Sequence, residues 1–60
     1  MNTLTAQDCS DMLERLSEEF REKSDEYQKT GNIKFMREGI KRLEEMTIWM
    51  EKLENLNEQN

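Results

Sequence analysis

The chain lacks several residue types on which small proteins depend for stability or chemistry. Among its 60 residues there is no histidine and no proline, and Cys9 is the single cysteine. An intramolecular disulfide therefore cannot form, and neither a Cys/His zinc site nor histidine acid–base chemistry can be built. We predict a non-enzymatic protein without catalytic residues, metal or cofactor, in which Cys9 is a small buried hydrophobe.

Clustered basic residues and long apolar runs are also missing. The chain has 9 Lys and Arg against 14 Asp and Glu, a net charge of −5, whereas duplex DNA and anionic membranes both reward clustered Lys and Arg. No segment is apolar and long enough to span a bilayer, and the N-terminus lacks a signal-peptide pattern. We expect a cytoplasmic protein that does not read nucleic acid directly, does not enter membranes and has protein partners.

What the chain does contain is apolar residues at helical spacing. Thr5 and Asp8 form an approximate capping box at the start of a first helix. Behind them an apolar stripe covers roughly 120° of a helical wheel. Lys23 and Ser24 interrupt this stripe, which predicts looser packing toward the middle of the chain. The stripe consists of Cys9, Met12, Leu13, Leu16, Phe20 and Tyr27.

The second half carries two parallel apolar lines, which together span roughly 220° of the wheel. The first line, which we call the seam, steps by three and four residues as in a heptad repeat. It contains Ile33, Met36, Ile40, Leu43, Thr47 and Met50. The second line contains Phe35, Gly39, Met46, Trp49, Leu53 and Leu56.

The narrow stripe of the first helix can cover only one of these two lines. We predict that the seam is covered and that the second line remains as an interface with another protein, because exposed apolar strips usually mark interaction surfaces. Its predicted centre is Met46, Trp49 and Leu53, with Trp49 as the anchor; the alternative is that Trp49 only caps the hairpin core. The predicted hairpin core is Cys9, Leu13, Leu16, Phe20, Met36, Ile40, Leu43 and Met50.

The predicted fold is an all-α antiparallel hairpin of two helices, at about 5–29 and 33–57, in a single domain 1–60. We expect it to oligomerise, because a chain of this length buries little surface by itself. The stretch "YQKTGNIKF", 27–35, has two interpretations. Gly31 and Asn32 either end one helix and cap the next, or form the turn of a minimal β-hairpin. The plain corner is favoured, because an isolated β-hairpin with such short strands is only marginally stable in water.

The stretch "YQKTGNIKFMREGIKRLEEMTIWMEKLENL", 27–56, resembles the middle and end of tailed-phage head-completion proteins of the gpW type. In that family a first helix, a two-stranded hairpin around a glycine turn and a second helix follow one another. "QKTGNIKF" would match the hairpin, "LTAQDCSDMLERL" the opening helix, and Ile40, Leu43, Trp49 and Leu53 the apolar positions of the second helix. The first helix is longer here, and the basic tail of some members is missing.

The resemblance implies a structural role as a head–tail joining adaptor, a homo-oligomeric ring between portal and tail, located in the virion or the host cytoplasm. Three other roles remain open. The chain could be a helical-hairpin chaperone of the kind that guards type III secretion needle subunits. It could be an acidic inhibitor whose first-helix carboxylates mimic phosphates in a basic cleft. The last is a dimeric RNA-binding four-helix bundle of the Rop type, which the absence of a basic patch disfavours.

Overall fold

Two long helices joined by a two-residue corner make up the fold. A computed structural model describes residues 3–58, in which α1 spans Ala6–Thr30 and α2 spans Ile33–Glu58. The helices pack side by side as an all-α hairpin, and both predicted spans are confirmed to within one residue. The hairpin is elongated, at 45 × 17 × 14 Å. Its radius of gyration of 14.1 Å exceeds the roughly 10 Å of a compact domain of this length.

The first helix begins at the predicted capping box. The Thr5 hydroxyl accepts a hydrogen bond from the Asp8 backbone N–H at 3.1 Å, and the Asp8 carboxylate accepts one from the Thr5 N–H at 3.0 Å. Two backbone donors that the helix itself cannot satisfy are thereby paired. The acidic side chain of Asp8 also lies at the positive end of the helix dipole. The start of α1 is therefore fixed by local sequence.

Residues 27–35 form the corner between the two helices and contain no strand. Gly31 has φ 70°, and its N–H donates to the Tyr27 carbonyl at 2.7 Å. This left-handed residue ends α1, and glycine adopts that conformation without a Cβ penalty. The Asn32 side-chain oxygen accepts a hydrogen bond from the Lys34 N–H at 3.0 Å and so caps α2. The β-hairpin interpretation is therefore wrong, because these residues satisfy their backbone groups as helix ends.

The core between the helices is thin. Cys9 is 0% exposed and Leu16 2% exposed, and these are the fully buried apolar side chains of the described residues. Gly39 is also buried, with Phe20 against it, so that a Cβ on Gly39 would lie 3.4 Å from Cδ1 of Phe20. Half-buried side chains complete the contact between the helices. They are Met12, Leu13, Phe20 and Tyr27 of α1, and Phe35, Met46, Trp49, Leu53 and Leu56 of α2.

In the structure the two apolar lines of α2 have the opposite roles from those predicted. The second line, predicted to be the free interface, lies against α1, since its members are all buried or half-buried. Gly39 lies in this line and is buried with the Phe20 ring against it. The cysteine and large apolar side chains of the predicted core on α1 do lie in the contact. The four predicted core residues on α2 remain exposed instead: Met36, Ile40, Leu43 and Met50.

Candidate interaction surface

The seam forms an exposed apolar strip along α2. Its five apolar side chains keep 38 to 51% of their surface exposed, although hairpin formation has already covered the second line. The strip runs from residue 33 to residue 50, about 26 Å at the rise of an α-helix. Glu54 occupies the next seam position, so a charged side chain ends the strip. An apolar face is therefore left over on α2, as the spacing predicts, but it is the seam.

Thr47 is the one polar member of the seam, and its hydroxyl is already satisfied. Oγ1 of Thr47 donates a hydrogen bond to the Leu43 carbonyl of the same helix at 3.2 Å. A hydroxyl bonded to its own backbone needs no outside partner when it is buried, because the desolvation cost of an unpaired polar group is avoided. Its methyl group remains for apolar contact. The seam can therefore be covered over its whole length without stranding a polar group.

One edge of the helix contact opens beside the seam into an apolar groove. We call this the open edge. The groove has a volume of about 300 Å³ and lies toward the corner, where the interrupted stripe of α1 predicts looser packing. Sequence reasoning missed Ser24 as a wall of this groove, having taken it only as an interruption. The groove is lined by Phe20, Ser24 and Tyr27 of α1 and by Phe35, Met36, Gly39, Ile40 and Leu43 of α2.

The opposite edge is closed by ion pairs between the helices, and we call it the closed edge. Nε of Arg42 donates a hydrogen bond to Oε1 of Glu19 at 2.8 Å. Within α1, Nε of Arg15 lies 3.3 Å from Oε2 of the same Glu19. Nζ of Lys23 is 2.9 Å from Oε2 of Glu38. The Lys23 ammonium holds the pKa of the Glu38 carboxyl below its ordinary value near 4.5, and Lys34 and Arg42 add to this effect.

Helix geometry places these two edges on opposite sides of the contact. Successive residues of an α-helix project about 100° apart, so Glu38 and Ile40 point to either side of Gly39, which faces α1. Lys23 also lies over the Phe35 ring, 5.7 Å from its centroid, and such a cation–ring contact adds to the closure. The closed edge thus presents charge to solvent, and the open edge presents the seam.

Trp49, the predicted anchor of the interface, belongs to the helix contact. It is half-buried in the second line, and Nζ of Lys52 lies 5.1 Å from the centroid of its ring. Met46 and Leu53, its predicted neighbours in the interface, are half-buried in the same line. A substitution of Trp49 would therefore mainly weaken the packing between the two helices, and it would not report on an interaction surface.

The carboxylates of α1 that suggested phosphate mimicry surround a basic side chain. Glu18, Glu22 and Asp25 line one shallow depression together with Arg21. A partner that binds phosphates would meet this cation among the carboxylates, so the depression is a weak imitation of a phosphate row. Its charged lining is typical of a solvated helix face.

A metal site and a membrane-spanning helix are both absent from residues 3–58. No group of three or more Asp, Glu or Cys side chains in that range could hold a metal ion. Neither helix, as far as it is described, is long and apolar enough to cross a membrane. The chain matches no protein-family model, no curated protein and no solved structure. The seam and the groove beside it are the surface that the geometry singles out.

Proposed function

We propose that this protein is a non-enzymatic assembly module that binds helical protein surfaces through the seam of α2. The observation that supports the proposal is the contiguous exposed strip from Ile33 to Met50. On ordinary surfaces exposed apolar residues are scattered singly, whereas here they form a line. An amphipathic partner helix fits such a strip, because side chains spaced by three and four residues interdigitate with a second helix.

The thin core of the hairpin supports this proposal. Two fully buried apolar side chains provide little hydrophobic stabilisation against the conformational entropy of ordering a 60-residue chain. Domains this small usually draw stability from disulfides, metals or association, and the single cysteine removes the first route. Covering the seam would supply the missing burial. Stability and binding are therefore linked in the proposal.

A head–tail joining adaptor is a narrower version of the same role, and it rests on the resemblance alone. The segment that the resemblance assigns to a β-hairpin continues the two helices instead, so the proposal does not depend on it. A ring adaptor would assemble to a mass well above that of a dimer. A chaperone would use the same seam for a different chain.

Site-specific photo-crosslinking tests the assembly role in the cells that express the protein. A crosslinking amino acid at Ile40 lies in the seam, whereas one at Glu22 lies on the charged face of α1. We expect discrete covalent adducts from position 40 and none above background from position 22. Adduct masses would distinguish a second copy from another chain. Equal labelling at both positions, or none, would refute the seam as a binding surface.

A further inference from the structure

We propose that the occupant of the seam is a second copy of this chain, bound with its α2 antiparallel to the first, so that two hairpins form a four-helix bundle. This inference rests on the proposed role of the seam and names its partner. A two-fold axis relates the copies in such a contact, and each residue pair at the interface occurs twice.

The seam is complementary to itself in the antiparallel direction. Its midpoint falls between Ile40 and Leu43, so a two-fold axis there places Ile40 of one copy beside Leu43 of the other. Ile33 then lies level with Met50, and Met36 with Thr47. Apolar side chains of similar size thus face one another at the centre and the ends of the strip, and Met36 faces the smaller Thr47, so that the two seams can interdigitate. The charged Glu54 falls beyond the end of the partner's strip.

Charges beside the seam favour the same orientation. Arg37 and Glu44 each follow a seam residue, Met36 and Leu43, on the side of α2 that faces away from α1. In the antiparallel register Arg37 of one copy lies within about 3 Å, along the axis, of the level of Glu44 of the other. A parallel two-fold pairing would instead place this flank of one copy on the opposite side of the interface from the same flank of the other, so that Arg37 could not reach Glu44 of the second copy. Both are exposed and without ion pairs among residues 3–58.

The open edge makes room for this arrangement. The groove beside the seam is bounded by Ser24 of α1 and by Ile40 and Leu43 of α2, so it borders the proposed centre of the dimer. The partner's side chains would fill space that the monomer leaves to water. The closed edge has no such room, because its ion pairs bridge the helices there. The second copy therefore approaches from one side only.

A matched pair of isoleucines tests the surface. Ile40 and Ile48 are 48% and 52% exposed, but Ile48 projects about 110° away from the middle of the seam. We expect wild-type protein to reach twice the 7.3 kDa of one chain by sedimentation equilibrium between micromolar and millimolar concentration. Ile40→Glu should weaken dimerisation at least about a hundredfold, because it places two carboxylates near the axis. Ile48→Glu should leave the mass unchanged.

A charge exchange tests the orientation. Arg37→Glu sets two pairs of like charges across the interface, and we expect a roughly tenfold weaker dimer. Arg37→Glu combined with Glu44→Arg should restore most of the affinity. Lys41→Glu is the control, because it changes the net charge equally at an exposed position away from the seam. Circular dichroism of every variant checks that the helices remain.

The outcomes separate this inference from the proposed function. A wild-type monomer at all concentrations overturns the dimer, as does a dimer that Ile40→Glu leaves intact. A double exchange that is no tighter than Arg37→Glu alone overturns the antiparallel orientation. If the protein is a monomer but position 40 still crosslinks to another chain, the dimer fails while the assembly role stands. If neither association nor crosslinking occurs, both fail.

Discussion

The two edges of the helix contact are built from opposite chemistry, although both lie between the same two helices. At the closed edge, Glu19 with Arg42 and Lys23 with Glu38 link the helices through charge. At the open edge, Ile40 and Leu43 border a groove and no charged side chain lines it. Desolvating charges is costly, so covering the closed edge with an apolar surface would cost more free energy than covering the open edge. In the binding role proposed above, the hairpin would therefore offer a partner one edge and not the other.

The same difference concerns how the two helices of the hairpin are held together. Ion pairs of partly exposed side chains contribute little free energy each, but both pairs are compatible with the face of α2 that turns toward α1. Gly39 then receives Phe20, and the seam is left outward. The ion pairs, the Gly39–Phe20 contact and the exposed seam are therefore consistent with one rotation of α2 about its own axis.

The largest expected effect separates the core from the open edge by using two leucines. Leu16 is 2% exposed whereas Leu43 belongs to the exposed seam, so the same change to alanine probes two environments. Leu16→Ala should cost about 2–4 kcal/mol of unfolding free energy through lost burial and a cavity. Leu43→Ala should cost under about 1 kcal/mol in dilute protein and should act mainly on association. Urea denaturation at low protein concentration measures the unfolding free energy of both variants.

A similar loss from the two leucine variants in dilute protein would contradict this assignment. It would mean that the seam already contributes to the core of the isolated hairpin, as the spacing predicts. The seam would then not be a free surface of the isolated hairpin. Sedimentation on the same samples confirms that the dilute chain is monomeric, so that association does not enter the measured free energy.

Gly39 divides the two edges, and its replacement tests how tightly the helices meet there. A Cβ at this position would lie 3.4 Å from Phe20 and 3.7 Å from Cβ of Lys23, which is ordinary van der Waals contact. Gly39→Ala should therefore stabilise the protein by about 0.5–1 kcal/mol, through helix propensity. Thermal unfolding measures the change. A lower melting temperature would show that Phe20 must approach closer than an alanine allows.

Gly31→Ala is the natural control for that experiment. No atom lies within 4 Å of a Cβ placed on Gly31, yet its φ of 70° disfavours any side chain. The substitution should cost roughly 1 kcal/mol on conformational grounds alone. The two glycines should therefore respond in opposite directions, one through helix propensity and the other through a left-handed backbone.

Much of the fold could be predicted because its determinants are local. Thr5 with Asp8, and Gly31 with Asn32, fix the helix ends within a few residues of sequence. The rotation of α2 was not predictable from periodicity, since both of its lines are apolar and either could face α1. One signal in the sequence would have decided it. In a hairpin folded at Gly31, Glu19 falls opposite Arg42 and Lys23 opposite Glu38, two complementary charge pairs that place the second line inward.

The coupling between Glu19 and Arg42 measures how strongly the closed edge is held. A double-mutant cycle of Glu19→Ala and Arg42→Ala should give about 0.5–1 kcal/mol, because both side chains are partly screened by solvent. High salt should reduce this value. A cycle of Arg37 and Glu44, studied in the dilute monomer, is the control and should give no coupling within error. Equal coupling in both cycles would show that the Glu19–Arg42 contact adds nothing specific.

The smallest effect concerns Glu38, whose carboxyl the Lys23 ammonium holds below its ordinary pKa near 4.5. A lowered folded-state pKa contributes stability that is present above the ordinary value and is lost as pH falls through the folded value. The stability difference between wild type and Glu38→Gln should therefore shrink below pH 4.5. An NMR titration of the Glu38 carboxyl should show its midpoint rise in Lys23→Met but not in Lys52→Met, since Lys52 lies over Trp49. An unchanged midpoint in Lys23→Met would mean that this ion pair does not persist in solution, and the closed edge would then depend on Glu19 and Arg42 alone.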